Sequence, residues 1–383
     1  MTISFFKNPT EIIYGQGSIV ELGDICSGLG SAKVLIVTDA GVVNAGLLEK
    51  VKKPLEEKGI AIQIFSDVEP NPSLETVNKG LAKQKDFGAE VIVAVGGGSP
   101  IDVAKGIGIL ATNGGNLLDY EGANKVSKPA LPIVAIPTTA GTGSEVTIFA
   151  VITDRTRKYK LTVASPNCAC KVALLDPLLT VSMPRQLTAS TGMDALVHAI
   201  ESYTSLMAYP ISEALALEAI KLISGNLRQA VYNGNNLEAR DKMLMGSLLA
   251  GMAFNNTRLG NGHAMSHPLG GFFDIPHGIA NSILIPHVME FNLFGSPEKF
   301  LKIAEAMGEP MANLTQMDAA YRAVIGVKRL IADVGIPNAL SEVAVTEDAF
   351  EPMAQDAMKS GNIQVNPRET KLDDVINIFK RAY

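Results

Sequence analysis

The chain has 383 residues, of which 47% are hydrophobic and 19% are charged. That length exceeds one ordinary hydrophobic core, so we expect about two domains, and the composition predicts a folded rather than a disordered protein. The net charge of −6 and the absence of a basic cluster argue against nucleic acid as a partner.

The N-terminal segment, the length of the apolar runs and the cysteines bear on the cellular location of the protein. No basic segment followed by a long apolar stretch opens the chain, and no apolar run approaches the length that crosses a bilayer. Cys26, Cys168 and Cys170 have no disulfide spacing. We therefore expect no signal peptide, no membrane partner and reduced thiols in a cytoplasmic protein.

Near the start, the apolar residues at 3–7 and 11–14 predict an edge hairpin. An exposed edge of this kind pairs readily with a second copy of the chain. A homodimer or higher homo-oligomer is the expected assembly.

Short apolar segments then alternate with amphipathic ones. Such alternation is typical of a parallel sheet covered on both faces, whose ligands bind beyond the carboxyl ends of the strands. The predicted fold class for residues 1–182 is therefore an α/β dinucleotide-binding domain with a Rossmann-like parallel sheet. The predicted strands cover residues 33–38, 60–65, 91–95 and 133–136, and the predicted helices cover 47–58, 73–87 and 100–112.

A glycine-rich turn, Gly96–Pro100, separates the third of these strands from its helix. The glycines let backbone N–H groups approach a phosphate, with Ser99 as the predicted N-cap and Pro100 as the first helical residue. The G-x-G-x-x-G fingerprint is absent, so phosphate binding and an ordinary tight turn both fit. A second turn rich in glycine and threonine, at residues 137–145, either faces the same crevice or is only a loop.

Asp39 ends the first strand of the alternating region. A carboxylate there can bind the ribose hydroxyls of a dinucleotide and repel the 2′-phosphate of NADP. It can equally cap the helix that follows.

Strand signals stop near residue 184, and long amphipathic helices follow. Residues 183–383 are therefore predicted to form a second, all-helical domain. The predicted helices cover residues 189–204, 212–232, 237–255, 297–308, 318–334 and 346–360, the first capped by Thr188 or Ser190.

All five histidines lie in this half, between His198 and His287. Asp194 and His198 are four residues apart, as are His263 and His267, and this spacing presents two ligands on one helix face. His277 follows at a predicted helix start, and His287 is interpreted as outside the cluster. A tetrahedral site needs four ligands, and spacing does not decide which of five candidates is left out. Three imidazoles and a carboxylate suit Fe(II) and Zn(II) equally.

These segments together resemble the iron-containing (group III) alcohol dehydrogenase family over nearly the whole chain, with a pattern nearest to its diol- and lactaldehyde-active members. The segments that carry the resemblance are Glu69–Pro72, Gly96–Pro100, Thr138–Thr142, Thr191–His198, Gly251–Asn256, His263–Gly270 and Pro276–Gly278. Ile101 stands where many members have histidine, and Phe149 where diol-active members often have a polar residue.

The resemblance implies a dinucleotide-binding α/β domain, an all-helical domain and a metal in the interdomain cleft. It implies NAD and Fe(II) as cofactors, with Zn(II) as the alternative metal. It also implies that His267 lies beside the nicotinamide, as the catalytic group for proton transfer or as a cofactor contact. The implied metal ligands are Asp194, His198, His263 and His277. The implied cofactor contacts are Asp39, Asn71, Gly97, Gly98, Ser99, Thr138, Thr139, Thr142, Thr147, Val151, Lys160 and Leu179, and the implied substrate pocket contains Phe149 and Phe254.

The expected activity is reversible hydride transfer between NAD and a small primary alcohol or diol. One rival is a zinc enzyme of the same architecture, such as a glycerol dehydrogenase or a dehydroquinate synthase-like lyase. A metal-dependent hydrolase is disfavoured because no HExxH segment is present. A metal-binding protein without activity is disfavoured by the glycine-rich turn.

Overall fold

The structure is a computed structural model that describes residues 3–157 and 159–383. The chain separates into two units. The sheet unit consists of Asn8–Thr139 and Gly143–Ser182. The helical unit consists of Met183–Tyr383, Ala140–Thr142 and, of the described N-terminal residues, 3–7.

The sheet unit is built on a six-stranded sheet in which all paired strands run parallel, in the order β1-β9-β6-β4-β2-β3. A smaller sheet has the order β5-β8-β7. The strands are β1 Glu11–Tyr14, β2 Lys33–Asp39, β3 Ala61–Val68, β4 Val91–Gly96, β5 Gly122–Ala123, β6 Ile133–Pro137, β7 Phe149–Asp154, β8 Tyr159–Ala164 and β9 Val172–Leu175. The helices of this unit are α1 Leu22–Gly28, α2 Ala40–Asn44, α3 Leu47–Glu57, α4 Leu74–Phe87 and α5 Gly98–Asn113.

Apolar side chains fill both faces of the large sheet. Every residue of the central strand β4 is buried. Alternate β4 residues point to opposite faces, so Ile92 and Ala94 belong to one hydrophobic cluster and Val91, Val93 and Val95 to the other. The predicted parallel sheet covered on both faces is confirmed.

Three local predictions differ from the structure. The N-terminal hairpin is wrong, because Glu11–Tyr14 pairs in parallel with Val172–Leu175 and not with residues 3–7. The Ser99 N-cap is also wrong, since α5 begins at Gly98 with Gly97 as its cap residue. A cap at Thr188 or Ser190 is wrong as well, because the helix there already begins at Arg185.

Residues 183–383 are all described and contain helices and no strand. The predicted all-helical character of this part is confirmed. The helices are α6 Arg185–Thr204, α7 Pro210–Tyr232, α8 Leu237–Thr257, α9 Asn261–Phe273, α10 His277–Leu293, α11 Pro297–Ala306, α12 Gln316–Val334, α13 Phe350–Ala357 and α14 Leu372–Ala382. Among the helices described, none has both the length and the apolar character of a membrane span.

A buried lysine on α5 holds the loop that joins β6 to β7. Lys105 is fully buried, and its ammonium group donates to the carbonyl oxygens of Ser144 at 2.7 Å, Thr147 at 3.0 Å and Phe149 at 2.6 Å. Asp102, one turn earlier, accepts from the Ser144 hydroxyl at 2.6 Å and from Val151 N at 3.0 Å. The pKa of Asp102 is raised, because the effect of burial exceeds the opposing effect of the nearby Lys105 charge.

Helix α5 begins at the glycine-rich turn, and the 144–149 loop contains two of the expected ligand contacts, Thr147 and Phe149. Because Lys105 bonds three carbonyls of that loop, it fixes the loop to the helix that starts at the turn. A buried ammonium is stable only with this many acceptors.

We predict that Lys105→Met lowers the free energy of unfolding of the protein by about 3–5 kcal/mol, because three buried carbonyls lose their donor and Asp102 its neighbouring cation. Urea denaturation measures the change. The matched control is Lys53→Met, since that side chain is 77% exposed and its ion pair with Glu57 spans 3.9 Å. We expect the control to stay within about 0.5 kcal/mol of the native chain. Equal effects of the two variants would contradict a stabilising role of Lys105 in fixing the 144–149 loop.

Candidate active site

Three helices of the helical unit bring a carboxylate and several imidazoles together. Asp194 and His198 lie one turn apart on α6, His263 lies in the first turn of α9, and His277 is the first residue of α10. One ligand atom each from Asp194, His263 and His277 lies within 4.8 Å of the others. The His198 ring stacks on that of His263, with centroids 4.5 Å apart.

Glycines permit this convergence. A Cβ on Gly278, the second residue of α10, would overlap the carbonyl of Ser190 on α6. A Cβ on Gly192 would lie 2.8 Å from the Met243 side chain of α8. Without side chains at these two positions, the backbone of α6 approaches its neighbours closely enough for short ligands such as Asp194 to meet the imidazoles.

The hydrogen bonds assign protons within the rings. His198 Nδ1 lies 3.3 Å from the Gly141 carbonyl and His263 Nδ1 lies 2.6 Å from a Glu201 carboxylate oxygen. Both partners only accept, so each Nδ1 carries a proton, which leaves Nε2 to present the lone pair of a neutral ring. Burial lowers the pKa of His198 to about 4, although the Asp194 charge raises it, so this ring is neutral at pH 7.

The contacts of Asn281, one turn after His277, show whether the site formed by Asp194, His263 and His277 suits a cation. Its Nδ2 lies 2.7 Å from Asp194 Oδ1, 3.1 Å from His263 Nε2 and 3.2 Å from His277 Nε2. An amide nitrogen has two hydrogens, and three acceptors face it. Its Oδ1 is buried and has no hydrogen-bond partner. A divalent cation would satisfy all three lone pairs at once, so the donor set fits a metal of the Fe(II) or Zn(II) type.

The remaining residues expected in this region lie nearby or elsewhere. The His267 ring centroid is 5.5 Å from that of His277, and neither His267 nor the expected ligand His198 is in the group of three converging ligands. Phe254 stacks on His198 with centroids 4.6 Å apart. His287 lies further along α10, where burial lowers its pKa and its charged neighbours are Glu290, Lys328 and Arg381.

In the sheet unit, the expected phosphate-binding residues meet at the carboxyl ends of β4 and β6. Thr138 N donates to the Gly96 carbonyl at 2.9 Å. A Cβ on Gly97 would lie 3.2 Å from the Thr139 hydroxyl, so the glycine leaves room at this point. Gly98 and Ser99 form the first turn of α5, whose free N–H groups and dipole favour an anion.

Asp39 both caps a helix and faces the glycine-rich turn. Its Oδ1 accepts from Val42 N at 2.9 Å at the start of α2. Its Oδ2 would lie 3.0 Å from a Cβ placed on Gly96. The two interpretations of Asp39 are therefore compatible, since one oxygen suffices for the cap.

The other expected cofactor contacts are distributed through the sheet unit, except Thr142, which falls in the helical unit. Lys160 Nζ donates to Asn71 Oδ1 at 2.9 Å, which brings those two together. Thr147 and Phe149 are held by Lys105, and the Val151 N–H by Asp102. Leu179 is buried against the large sheet.

Four residues that contact the expected site residues or their loop were not predicted from the sequence: Lys105, Asp102, Glu201 and Asn281. Signals for three of them were present. Glu201 extends the Asp194 and His198 spacing by one more turn of α6, and Asn281 stands four residues after His277. Lys105 is a lone cation within the apolar run of α5, which is also unusual.

Comparison with known proteins agrees with this geometry. Residues 9–177 match the family described as iron-containing alcohol dehydrogenase, and residues 188–383 match its C-terminal part. The chain is 47% identical to a 1,3-propanediol dehydrogenase of Klebsiella pneumoniae, over 98% of this chain and 97% of that protein. It is 43% identical to an NAD-dependent methanol dehydrogenase of Bacillus methanolicus, over 99% of each.

The fold agrees as well. A crystal structure of a 1,3-propanediol oxidoreductase superposes with a TM-score of 0.98 at 46% identity, covering 100% of both chains. The resemblance inferred from the sequence motifs is confirmed. The chain belongs to the iron-containing alcohol dehydrogenase family and is an oxidoreductase that interconverts alcohols and aldehydes.

Proposed function

We propose that this protein is an NAD(H)-dependent dehydrogenase of small primary alcohols or diols, with Fe(II) held by Asp194, His198, His263 and His277. The observation that supports this most strongly is the set of three acceptor atoms, on the buried Asp194 and His263 and the half-buried His277, that converge on Asn281. The protons on Nδ1 of His198 and His263 support it further, because they leave Nε2 as a metal ligand.

Nucleotide binding and metal binding are assigned to different halves of the chain. We propose that residues 1–182 bind the nucleotide and residues 183–383 hold the metal. The N–H groups of Gly97, Gly98 and Ser99 would bind the phosphates, and Asp39 the ribose hydroxyls. Asn71, Thr138, Thr139, Thr142, Thr147, Val151, Lys160 and Leu179 would complete the nucleotide contacts.

When bound, Fe(II) supplies Lewis-acid polarisation of a substrate oxygen and NAD supplies the hydride acceptor. The ligand residues orient the substrate by fixing where that oxygen can bind. Phe254, which is 7% exposed, offers an apolar surface beside His198, and Phe149 is proposed to do the same for the substrate chain. His267 is proposed to pass the substrate proton through an imidazole nitrogen toward solvent.

The substrate class rests on the pocket residues and on the relatives. The two relatives named above act on 1,3-propanediol and on methanol, as their names state. We propose a small primary alcohol or diol and its aldehyde. We also propose a homodimer or higher oligomer, since Ile3 and Phe5 are 79% and 72% exposed, and a cytoplasmic location, since all three cysteines are buried free thiols.

The direct test is a panel of short aldehydes and alcohols, assayed with NADH, NADPH and NAD on protein reconstituted anaerobically with iron. We expect aldehyde-dependent loss of NADH absorbance and alcohol-dependent gain with NAD. Aldehyde consumption without net change in NADH would contradict the proposed reaction. Product analysis by chromatography separates the two outcomes.

We predict that His263→Ala abolishes metal binding and activity, because it removes one of the converging lone pairs. His267→Ala is expected to retain the metal and to lower kcat. Elemental analysis of the reconstituted variants checks this. Equal metal loss in both variants would refute the proposed ligand set.

We predict that Asp39→Asn raises the ratio of NADPH to NADH efficiency (kcat/KM) by about tenfold or more, because it removes the charge that repels a 2′-phosphate. Asparagine keeps the oxygen that caps α2, so the effect of charge is isolated from that of helix capping. Thermal melting controls for the cap, and we expect little change there. An unaltered cofactor ratio would show that Asp39 only caps the helix.

A further inference from the structure

Glu201 is a buried carboxylate beside the proposed metal site and is not one of the proposed ligands. It lies on α6, one turn after His198, and is 3% exposed. Its oxygens accept from Gly262 N at 2.5 Å, from His263 N at 3.3 Å and from His263 Nδ1 at 2.6 Å. One side chain therefore bonds both the backbone and the ring of a proposed ligand.

The backbone bonds satisfy the start of α9. The first N–H groups of a helix have no partner within the helix, and the cap residue here, Gly260, has no side chain. Glu201 accepts from the second and third N–H groups, and Asn366 Oδ1 accepts from the first, on Asn261, at 3.3 Å. A negative charge is also favoured at this end of a helix.

Two glycines open the approach of Glu201 to this helix start. A Cβ on Gly262 would lie 2.8 Å from Glu201 Oε1, and one on Gly260 would lie 3.0 Å from the same atom. Both contacts are closer than real Cβ atoms normally make. The Gly-Asn-Gly-His segment is therefore shaped to receive the carboxylate.

We propose that Glu201 is a positioning residue that fixes the orientation and tautomer of His263 for the metal; this inference rests on the proposed metal site. A carboxylate accepts and does not donate, so it keeps the proton on Nδ1. His263 Nε2 then presents its lone pair toward Asp194 Oδ1, 3.8 Å away, and toward Asn281. Carboxylate partners of this kind orient metal-binding histidines and raise their basicity.

If Glu201 only capped α9, Glu201→Gln would leave the His263 tautomer unaltered, whereas the proposed role predicts that the tautomer changes. Glutamine has the same shape and keeps one oxygen for the Gly262 N–H group. Its NH₂ group, facing Nδ1, donates instead of accepting. The ring of His263 would then carry its proton on Nε2, where a metal cannot bind.

The experiment uses the full chain without metal and with Co(II). Protein labelled with ¹⁵N-histidine reports the His263 tautomer by NMR, with the signal assigned by its loss in His263→Ala. Competition titration gives the Co(II) dissociation constant, and the visible d–d spectrum reports the ligand geometry. We expect Glu201→Gln to move the His263 proton to Nε2 and to weaken Co(II) binding by about 10–100-fold.

The matched control is Asn366→Ala, which removes the other acceptor at the start of α9 and leaves the His263 ring bond in place. We expect it to lower the melting temperature and to keep Co(II) affinity within about threefold. Equal loss of affinity in the two variants, or an unaltered tautomer and affinity in Glu201→Gln, would overturn the inference. A native chain that binds no Co(II) would overturn the proposed metal site with it, whereas absent turnover with normal Co(II) binding would overturn only the proposed reaction.

Discussion

The helical unit brings acceptor atoms of the buried Asp194 and His263 and the half-buried His277 close together. Their ligand atoms lie within 4.8 Å of one another, and the amide nitrogen of Asn281 faces all three. Buried acceptors without enough donors are costly, and so is a buried carboxylate without a cation. This arrangement is therefore most stable when a positive ion is supplied, which explains why the surrounding residues hold the acceptors together.

The two units recognise their proposed ligands by different means. The sheet unit offers mainly backbone N–H groups and hydroxyls at strand ends. Its glycines therefore leave space for a ligand to approach those groups. The helical unit offers side-chain lone pairs, so its glycines matter because they let α6 and α10 approach. In each unit one buried ionisable side chain stabilises the functional segment: Lys105 holds the loop before β7, and Glu201 holds the start of α9.

Features governed by local spacing could be predicted from the sequence. The parallel sheet followed from short apolar strands between helices, and the ligand pair on α6 followed from the four-residue spacing of Asp194 and His198. The start of the helix predicted over residues 73–87 was equally local, since the Ser73 hydroxyl accepts from Thr76 N and caps α4. Family resemblance, carried by motifs, added the activity class. It also supplied the choice of ligands and cofactor contacts, which stay predictions.

Features governed by distant pairing could not be predicted. Strand β1 is paired with β9, which lies far along the chain, so the local pattern indicated a hairpin instead. The alternating strands β7 and β8 were missed although they pair with each other, because polar residues interrupt their apolar pattern. The partners of Lys105 and Glu201 are likewise set by the fold, since hydrogen bonds between separate elements leave no periodic trace in the sequence.

The most direct measurement is anomalous X-ray scattering at the iron edge from crystals of the iron-reconstituted protein. The account predicts one anomalous peak about 2.0–2.2 Å from an Asp194 oxygen and from Nε2 of His198, His263 and His277. Iron that is bound stoichiometrically by elemental analysis but located away from these four side chains would contradict it.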